Sequence, residues 1–312
     1  MGFETINAYA KAKIPFLFVT DFKGENIDVF PLENLAKHDI EFEIDHNHIY
    51  KQHPHFLKKK PTNYEDYLSK FDKVIQNIEA GNTYIFNLTQ PTSIETQLSL
   101  KEIYTLANAD YKLRFKDHFV CFSPEKFIQI KNNTIATFPM KGTIDAAIVN
   151  AQEKILSNEK EMAEHIMIVD LLRNDLSIVA KDVKVEKFRY IDEINAGDKK
   201  LLQVSSHISG KLEENWNECL GDILKALLPA GSISGTPKKS TVDLIEKIEG
   251  YERGFFSGVF GVFDGESLDS GVMIRFIEKT DSGYIYKSGG GITIESDPKA
   301  EYKEMCDKIY LP

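Results

Sequence analysis

A lysine set between a proline and a glycine is the residue of this sequence with the greatest potential for chemistry. Lys141 follows two predicted strands, 126–130 and 134–138, which pair as a hairpin around an Asn-Asn turn. Pro139 and Gly142 confine the backbone on either side, so the end of the second strand can direct the lysine into a cleft. The alternative is an exposed lysine beyond a strand edge, which these residues by themselves favour.

Two predicted helices carry acidic side chains that would hold a metal ion if they met. Glu164 shares the apolar face of its helix with Ile168 and Leu171, and a carboxylate on a buried face needs a cation or strong donors. The last helix presents Glu301 and Glu304 three residues apart. If Glu164 and Glu304 converge, two oxygen ligands with open positions favour Mg²⁺, completed by water and an anionic substrate. The alternatives are a salt bridge for Glu164 and a solvated face for the other two.

Backbone amides and an arginine could hold an anion. The run 288–291 contains three glycines and interrupts a predicted strand, and glycine in a strand often marks the close approach of a ligand or of another backbone. Arg275, at the end of a short apolar run, could clamp the same anion through two hydrogen bonds. The loop 229–238 resembles a phosphate-binding loop but lacks its Gly-Lys-Ser/Thr ending, so nucleotide binding is disfavoured.

Composition narrows the class of protein. The 312 residues, 42% of them hydrophobic, suffice for one large domain or two closely packed ones, and the net charge of -10 argues against nucleic acid and membrane surfaces as partners. Three widely spaced cysteines have no metal-ligand spacing and suit a reducing compartment. With no export signal and no membrane-spanning run, we expect a cytoplasmic protein.

The pattern of predicted elements is that of an α+β fold. An amphipathic helix is expected at 63–80, with Asn63 as its N-cap and Gly81 as its stop. Strands and helices are grouped instead of alternating, so a layered α+β fold is favoured over a parallel doubly wound sheet. Further helices are expected at 157–176, 216–227, 238–248 and 298–310, a hairpin at 14–30, and strands at 41–49, 255–263, 272–279 and 284–294.

A polar stretch from 45 to 60 divides the chain. It contains four histidines, His46, His48, His53 and His55, which lack a helical i,i+4 pair and stand beside three lysines. We interpret the stretch as a solvated connector, with a metal site as the less favoured alternative. It separates a short N-terminal lobe, 1–62, from a catalytic domain, 63–312.

Several collinear motifs make the chain resemble the chorismate-utilising enzymes, which include the large subunits of anthranilate and aminodeoxychorismate synthases and the isochorismate and salicylate synthases. The resemblance implies an anthranilate synthase component I-like fold, two packed β-sheets flanked by helices. The motifs lie at 81–89, 123–125, 139–143, 163–175, 206–207, 231–238, 253–254, 274–275 and 289–304.

The resemblance also implies roles for individual residues. Glu164 and Glu304 match the family's Mg²⁺ ligands, with Glu301 acting through water. Arg275 matches the side chain that binds the enolpyruvyl carboxylate of chorismate. The matching backbone amides are those of Gly289, Gly290 and Gly291, and the matching contacts to the ring are those of Gly142 and Thr143.

Three further positions carry the expected catalysis. Glu125 matches a proposed general acid for departure of the C4 hydroxyl, and His207 matches a residue near that hydroxyl. At position 141 the chain resembles aminodeoxychorismate synthases, where a lysine is thought to attack C2 before ammonia attacks C4. An unperturbed lysine is almost entirely protonated at pH 7, so we expect the pKa of Lys141 to be depressed. Ile85 stands where water-adding relatives have a lysine base, which disfavours isochorismate and salicylate synthesis.

The expected function is therefore component I of an aminodeoxychorismate synthase, which makes the precursor of 4-aminobenzoate for folate. Phe256 departs from the family, because many relatives have a tyrosine there. With no glutamine-hydrolysing residues expected in the chain, ammonia would come from a separate glutamine amidotransferase subunit. The alternatives are anthranilate synthase component I and a non-catalytic chorismate-binding subunit.

Overall fold

Two antiparallel β-sheets and the helices around them form the protein, as the predicted α+β class requires. The structure, a computed structural model, describes residues 2–44, 55–196 and 199–312. The helices are α1 (Gly2–Lys11), α2 (Tyr64–Glu79), α3 (Leu100–Leu106), α4 (Ala151–Ser157), α5 (Glu159–Val179), α6 (Leu220–Leu227), α7 (Lys238–Glu249) and α8 (Pro298–Asp307). None of the helices in these ranges is long and apolar enough to cross a membrane.

The first sheet contains nine strands within the described residues. They are β1 (Phe16–Thr20), β2 (Ile27–Pro31), β8 (Lys126–Lys131), β9 (Thr134–Thr137), β10 (Met140–Asp145), β11 (Lys181–Ala196), β12 (Lys199–Lys211), β14 (Val259–Phe263) and β15 (Leu268–Val272). Their order is β10-β12-β9-β8-β15-β14-β1-β2, with β11 also paired to β12. The predicted hairpins at 14–30 and 126–138 are both part of this sheet.

The second sheet contains eight strands in the same described ranges. They are β3 (Ile40–Ile44), β4 (Lys58–Lys60), β5 (Ile85–Glu95), β6 (Tyr111–Phe115), β7 (Phe119–Ser123), β13 (Gly235–Thr236), β16 (Phe276–Thr280) and β17 (Gly283–Ile292). Their order is β13-β5-β17-β16-β7-β6-β3, with β4 also paired to β5. The two sheets pack closely, since a Cβ on Gly271 of β15 would lie 2.5 Å from the ring of Tyr111 in β6.

Apolar side chains on the facing surfaces fill the space between the sheets. Tyr111, Phe119, Phe260 and Phe276 are buried together in this core. A larger core joins both sheets to the helices, and the apolar face predicted for α2 lies in it, against β5 and β17 of the second sheet. Asn63 caps α2 as predicted, accepting a hydrogen bond from the backbone N–H of Asp66.

The helix expected at 157–176 is confirmed as α5, which begins after Asn158, whose side chain caps its first turn; the short helix α4 before it was not predicted. The strand expected at 272–279 is wrong in its course. The chain leaves the first sheet after Val272 and joins the second at Phe276. Between them Arg275 has a left-handed backbone, with φ of 51°.

The proposed boundary near residue 62 stays a prediction. Strands β1 and β2 from before it pair within the first sheet, and β3 pairs with β6 in the second, so this segment is interleaved with the rest of the chain. Of the four histidines, His46, His48 and His53 lie outside the described residues.

Candidate active site

A cavity of about 470 Å³ collects nearly all of the predicted site residues. Its walls come from both sheets, from α5 and α8, and from the loop before α7. The predicted residues in the wall are Glu125, Lys141, Gly142, Thr143, Glu164, Arg275, Gly289, Gly290, Gly291, Glu301 and Glu304. His207 is the predicted residue that does not line it.

Lys141 reaches this cavity because β10 is irregular at that point. The pairing of β10 with β12 shifts register between Met140 and Thr143, and Gly142 takes a left-handed φ of 79° that favours glycine. The bulge releases Lys141 from the regular alternation of the strand. Its Nζ lies 3.1 Å from Oε2 of Glu164.

The electrostatic setting of Lys141 contradicts the predicted depression of its pKa. Burial lowers the pKa of this amine, but the charges of Glu164, Glu161 and Glu304 outweigh it and raise the pKa above its ordinary value. In this arrangement Lys141 is an ammonium ion. The prediction was wrong because it weighed desolvation and an added metal charge and omitted the surrounding carboxylates.

Carboxylates and ammonium groups alternate between α5 and α8. Glu164 on α5 is buried and accepts from Lys141, while Lys160, one turn earlier, places its Nζ 3.9 Å from Glu164 and 3.4 Å from Glu301. Glu301 on α8 also accepts from the Ser296 hydroxyl at 2.8 Å. Lys160 therefore bridges the two helices.

Glu304 has its own partner one turn along α8. Lys308 Nζ lies 2.6 Å from Glu304 Oε1 and also donates to the carbonyl of Gly289 at 2.8 Å. Burial raises the pKa of Glu304, but Lys308 and the other cavity lysines outweigh this and hold it below the usual range. Glu304 is therefore ionised, as a metal ligand must be.

The carboxylates of the cavity can supply a pair of ligands to Mg²⁺. The carboxylates of Glu161, Glu164, Glu301 and Glu304 line one cavity, and Mg²⁺ prefers such oxygen ligands in small numbers with water and substrate completing the shell. Within the described ranges no group of three or more His, Cys, Asp or Glu side chains is assembled as a ready cage. The predicted pair, Glu164 and Glu304, would have to exchange an ammonium partner for the metal.

The glycine run does not interrupt its strand, which corrects the sequence interpretation. Residues 289–291 continue β17 and pair with Thr89, Leu88 and Asn87 of β5. A Cβ on Gly289 would lie 2.1 Å from the carbonyl oxygen of Leu88, so that position admits only glycine. Cβ atoms on Gly290 and Gly291 would instead stand 3.5 Å from Glu304 and 3.5 Å from Lys141, inside the cavity. The glycines therefore keep the cavity floor open.

Two residues with left-handed backbone conformations form another part of the cavity wall. Ser257 and Arg275, with φ of 65° and 51°, both line the cavity. The backbone N–H of Ser257 donates to the carbonyl of Met273, next to the segment where the chain changes sheets. Among the described residues, the Ser257 hydroxyl and the Nε of Arg275 have no hydrogen-bond partner. Such strain and unpaired donors are typical of ligand sites.

Glu125 lies between β7 and β8 with its carboxyl group turned into the cavity wall. The Ser232 hydroxyl donates a hydrogen bond to its Oε1. Burial raises the pKa of Glu125, although this hydrogen bond and the charge of Lys141 act in the opposite direction. A raised pKa favours the protonated form of the carboxyl group, which is the form that a general acid needs.

The role predicted for His207 is not supported by its position. Its ring stacks on Phe138, with centroids 4.7 Å apart, and does not line the cavity. Neighbouring residues of a strand face opposite sides, and the residue that turns towards α5 is Ser206, whose hydroxyl lies 2.7 Å from Nε2 of buried His165. Burial lowers the pKa of His165 to about 4, so this imidazole is neutral.

Several polar residues of the cavity were not predicted. Lys160 and Lys308 each stand four residues from a predicted metal ligand, a helical spacing that places them on the same face. That spacing could have identified both. Ser232 and Lys287 also line the cavity. Ser232 lies in the motif 231–238, which could have identified it, whereas Lys287 carries no signal in the sequence that separates it from a surface residue.

Comparison with known proteins gives a consistent result. Residues 28–311 match the family described as chorismate binding enzyme. An "Uncharacterized PabA-like protein" of Haemophilus influenzae is 49% identical over 99% of this chain and 95% of its own length. The aminodeoxychorismate synthase component 1 of Bacillus subtilis is 31% identical over 77% of this chain and 53% of its own. The crystal structure of anthranilate synthase component I from Streptococcus pneumoniae superposes with a TM-score of 0.70 and 27% identity, over 81% of this chain and 58% of that one.

Proposed function

Because the chain belongs to the family of chorismate-binding enzymes, we propose that it is component I of an aminodeoxychorismate synthase. It would convert chorismate and ammonia into 4-amino-4-deoxychorismate, for 4-aminobenzoate and folate synthesis in the cytoplasm. The observation that carries the proposal is the position of Lys141, largely buried in the cavity wall and facing Glu164. A relative named for this activity shares 31% of its residues over the aligned region.

The charge of the cavity suits a dianionic substrate in an acidic protein. Lys141, Lys160, Lys287, Lys308 and Arg275 all line it, although the chain as a whole carries a net charge of -10. The unpaired Nε of Arg275 offers a donor to a carboxylate, and the open floor at Gly290 and Gly291 leaves room for one. Mg²⁺, held by Glu164 and Glu304, would neutralise the ring carboxylate and fix the orientation of the substrate.

Lys141 and Glu125 would divide the chemistry. The neutral amine of Lys141 attacks C2 while both conjugated ring double bonds shift by one position and the C4–oxygen bond breaks. Glu125 gives its proton to the departing hydroxyl, which leaves as water. Ammonia then attacks C4, both double bonds shift back, and the bond between C2 and Lys141 breaks. Because Lys141 is paired with Glu164 as an ammonium ion, that ion pair must be broken and the proton released before the attack.

Ammonia would come from a separate amidotransferase. Glutamine hydrolysis requires a reactive thiolate, and burial raises the pKa of all three thiols, Cys121, Cys219 and Cys306. Burial is the largest effect on the pKa of each thiol, so none of them is set up as a reactive thiolate. We expect the isolated chain to use ammonium and not glutamine.

Anthranilate synthase component I is the second candidate, and one observation favours it. In its ion pair with Glu164, Lys141 is suited to binding an anion instead of attacking carbon. The two functions differ in whether the product retains the enolpyruvyl group. A non-catalytic binding subunit is a weaker alternative, since the cavity contains a buried acid, a lysine and paired carboxylates.

The proposed role of Lys141 is tested by trapping its adduct. Wild type, Lys141→Ala and Lys160→Ala are incubated with chorismate and Mg²⁺ without ammonia, quenched and measured as intact proteins by mass spectrometry. We expect a chorismate-derived mass increment on wild type and on Lys160→Ala, mapping to Lys141, and none on Lys141→Ala. Lys160 is the matched control because it is a second ammonium group in the same cavity. Absence of the increment from all three, with equal turnover in wild type and Lys141→Ala, would refute the role.

A further inference from the structure

The loop that precedes α7 forms the wall beside Glu125. This segment, the 229–237 loop, consists of residues 229–237. Its backbone is fixed at several points: β13 pairs with β5, the carbonyl of Ile233 accepts from Nη1 of Arg253 at 2.9 Å, and the carbonyl of Ser234 accepts from the N–H of Asn87 at 2.9 Å. These bonds make the loop a rigid part of the cavity wall.

A buried ion pair fixes the same loop to α5. Lys238, which follows the loop and begins α7, places its Nζ 2.7 Å from Oδ2 of Asp175, with side-chain exposures of 19% and 9%. The same ammonium group donates to the carbonyl of Leu227 at 3.0 Å, just before the loop. Gly231 packs directly on this pair, since a Cβ there would lie 2.8 Å from Asp175 Oδ2. The ion pair therefore joins both ends of the loop to one helix.

The loop meets Glu125 through one side chain. Ser232 donates to Oε1 of the carboxyl group, and no hydrogen bond connects Oε2 to any other residue in the described ranges. A carboxyl group with one oxygen accepting from a fixed donor carries its own proton on the other oxygen. Ser232 therefore determines which oxygen of Glu125 can present a proton to the cavity.

We propose that the 229–237 loop is a positioning device for Glu125, in which Ser232 orients the carboxyl group and the buried Asp175–Lys238 pair holds Ser232 in place. The proposal rests on the role of Glu125 as the acid in the proposed function. Ser232, Asp175 and Lys238 are positioning residues, because they act through Glu125 and not on the substrate.

The hydrogen bond from Ser232 gains strength during the reaction. Once Glu125 has given up its proton, Oε1 belongs to a buried carboxylate, and a bond to a charged acceptor is roughly twice as strong as one to a neutral acceptor. The loop thus stabilises the charge that develops as the hydroxyl leaves. Loss of Ser232 should lower kcat with little change in KM, by about 10- to 100-fold for one such donor.

The first test compares Ser232→Ala, Ser232→Thr and Ser234→Ala. Chorismate consumption with ammonium and Mg²⁺ is followed over a range of pH, whatever the product. We expect Ser232→Ala to lower kcat and to shift the alkaline limb of its pH profile to higher pH, because removing the donor raises the pKa of Glu125. Ser232→Thr keeps a hydroxyl and should restore both. Ser234 is the matched control, because its hydroxyl is buried in the same loop and donates to Ala230, not to Glu125.

The second test asks whether the ion pair acts through Ser232. Asp175→Asn is introduced into wild type and into Ser232→Ala, which gives a double-mutant cycle. If Asp175→Asn folds poorly, Lys238→Gln replaces it in both backgrounds. If the pair serves to hold Ser232, either variant should lower kcat in wild type and have little further effect in Ser232→Ala. The loss of thermal stability should be similar in both backgrounds. Additive losses of kcat would overturn the proposal, because the pair would then act independently of Ser232.

A third measurement separates this proposal from the proposed function. The melting temperature is measured against pH for wild type, Ser232→Ala and Asp175→Asn, each with and without Glu125→Gln. The pH-dependent part that Glu125→Gln removes should shift to higher pH in both loop variants, without any substrate. If this pH-dependent part lies at the same pH in wild type and in both loop variants, the positioning role is refuted even if the enzyme is active. Failure of wild type to consume chorismate would instead refute the proposed function, and this thermal cycle would still decide the role of the loop.

Discussion

Lys141 shows what a motif can indicate about a residue and what it cannot. Its sequence neighbours, a proline, a glycine and a threonine, allowed a side chain directed into a cleft but by themselves favoured an exposed lysine, and it lies in the cavity wall. Its charge state depends on carboxylates from α5 and α8, which are 20 to 163 positions away in the chain. Such long-range neighbours are not visible from spacing, so the direction of its pKa was predicted wrongly.

Serine and histidine at positions 206 and 207 show a second limit at this scale. Adjacent residues of a strand face opposite sides of the sheet. A prediction that is wrong by one position therefore names the residue on one face in place of the residue on the other. His207 stacks on Phe138, whereas Ser206 meets His165. Glu164 was easier to place, because a carboxylate on the apolar face of a helix must meet a cation or a donor there, and it is buried.

Replacing Glu125 by Gln should abolish the acid and change the pH dependence of stability. Burial raises the pKa of Glu125 in the folded state, so its contribution to stability is complete below the ordinary pKa of glutamate and is lost as pH rises through the raised value. Glutamine cannot ionise. We therefore expect kcat to fall by about 100-fold or more, and the melting temperature of Glu125→Gln relative to wild type to increase as pH rises.

The control for this prediction is Glu153→Gln, which changes an exposed carboxylate on α4. It should change neither kcat nor the pH dependence of the melting temperature. If the melting temperatures of wild type and Glu125→Gln differed by the same amount at every pH, Glu125 would not be a buried acid with a raised pKa.

Elements with strong periodicity and capping signals were predictable. The helix 63–80 has an N-cap, an apolar face and a glycine stop, and α2 has these bounds to within one residue. The strand predicted at 272–279 fails because its apolar run contains no break, although the chain moves from one sheet to the other at 273–275. Sheet exchange depends on pairing partners distant in sequence, and periodicity carries no information about them.

Helices α5 and α8 are expected to hold Mg²⁺ between them, each with one carboxylate. We expect Glu164→Gln and Glu304→Gln each to weaken Mg²⁺ binding by at least about 10-fold, because each removes one of two charged ligands. Affinity is measured by calorimetry with Mg²⁺ and by the electron paramagnetic resonance signal of bound Mn²⁺, without substrate turnover. The fold should remain intact, as shown by unchanged circular dichroism.

Glu161→Gln is the control on the same helix. Its carboxylate also lines the cavity, but burial raises its pKa, so it is less suited to coordinate a metal. It should weaken Mg²⁺ binding less than the other two variants. Equal affinities in wild type, Glu164→Gln and Glu304→Gln would contradict the assignment of the metal to these two helices.

At the scale of the whole molecule, class and family could be predicted from the sequence, but the topology could not. Grouped strands and helices predicted an α+β fold, and the collinear motifs predicted two packed sheets. The first 44 residues, however, contribute strands to both sheets, beside partners more than 200 residues away for β1. A local pattern cannot distinguish such an interleaved segment from a separate lobe.

The separation of charge across the molecule suits its function as proposed. The chain has a net charge of -10, and its cavity concentrates lysines and an arginine among carboxylates. A dianionic substrate would be disfavoured by the average surface and favoured at this one place. The metal and the substrate should therefore bind together more tightly than either does alone.

The product formed by the wild-type chain tests the central claim most directly. Purified protein is incubated with chorismate, Mg²⁺ and ¹⁵N-ammonium, with glutamine replacing ammonium in a parallel reaction, and the products are identified by mass spectrometry and NMR. We predict 4-amino-4-deoxychorismate from ammonium, with ¹⁵N bonded to C4 and the enolpyruvyl group retained, and no product from glutamine. Anthranilate with an equal amount of pyruvate, or no consumption of chorismate, would contradict the proposed function.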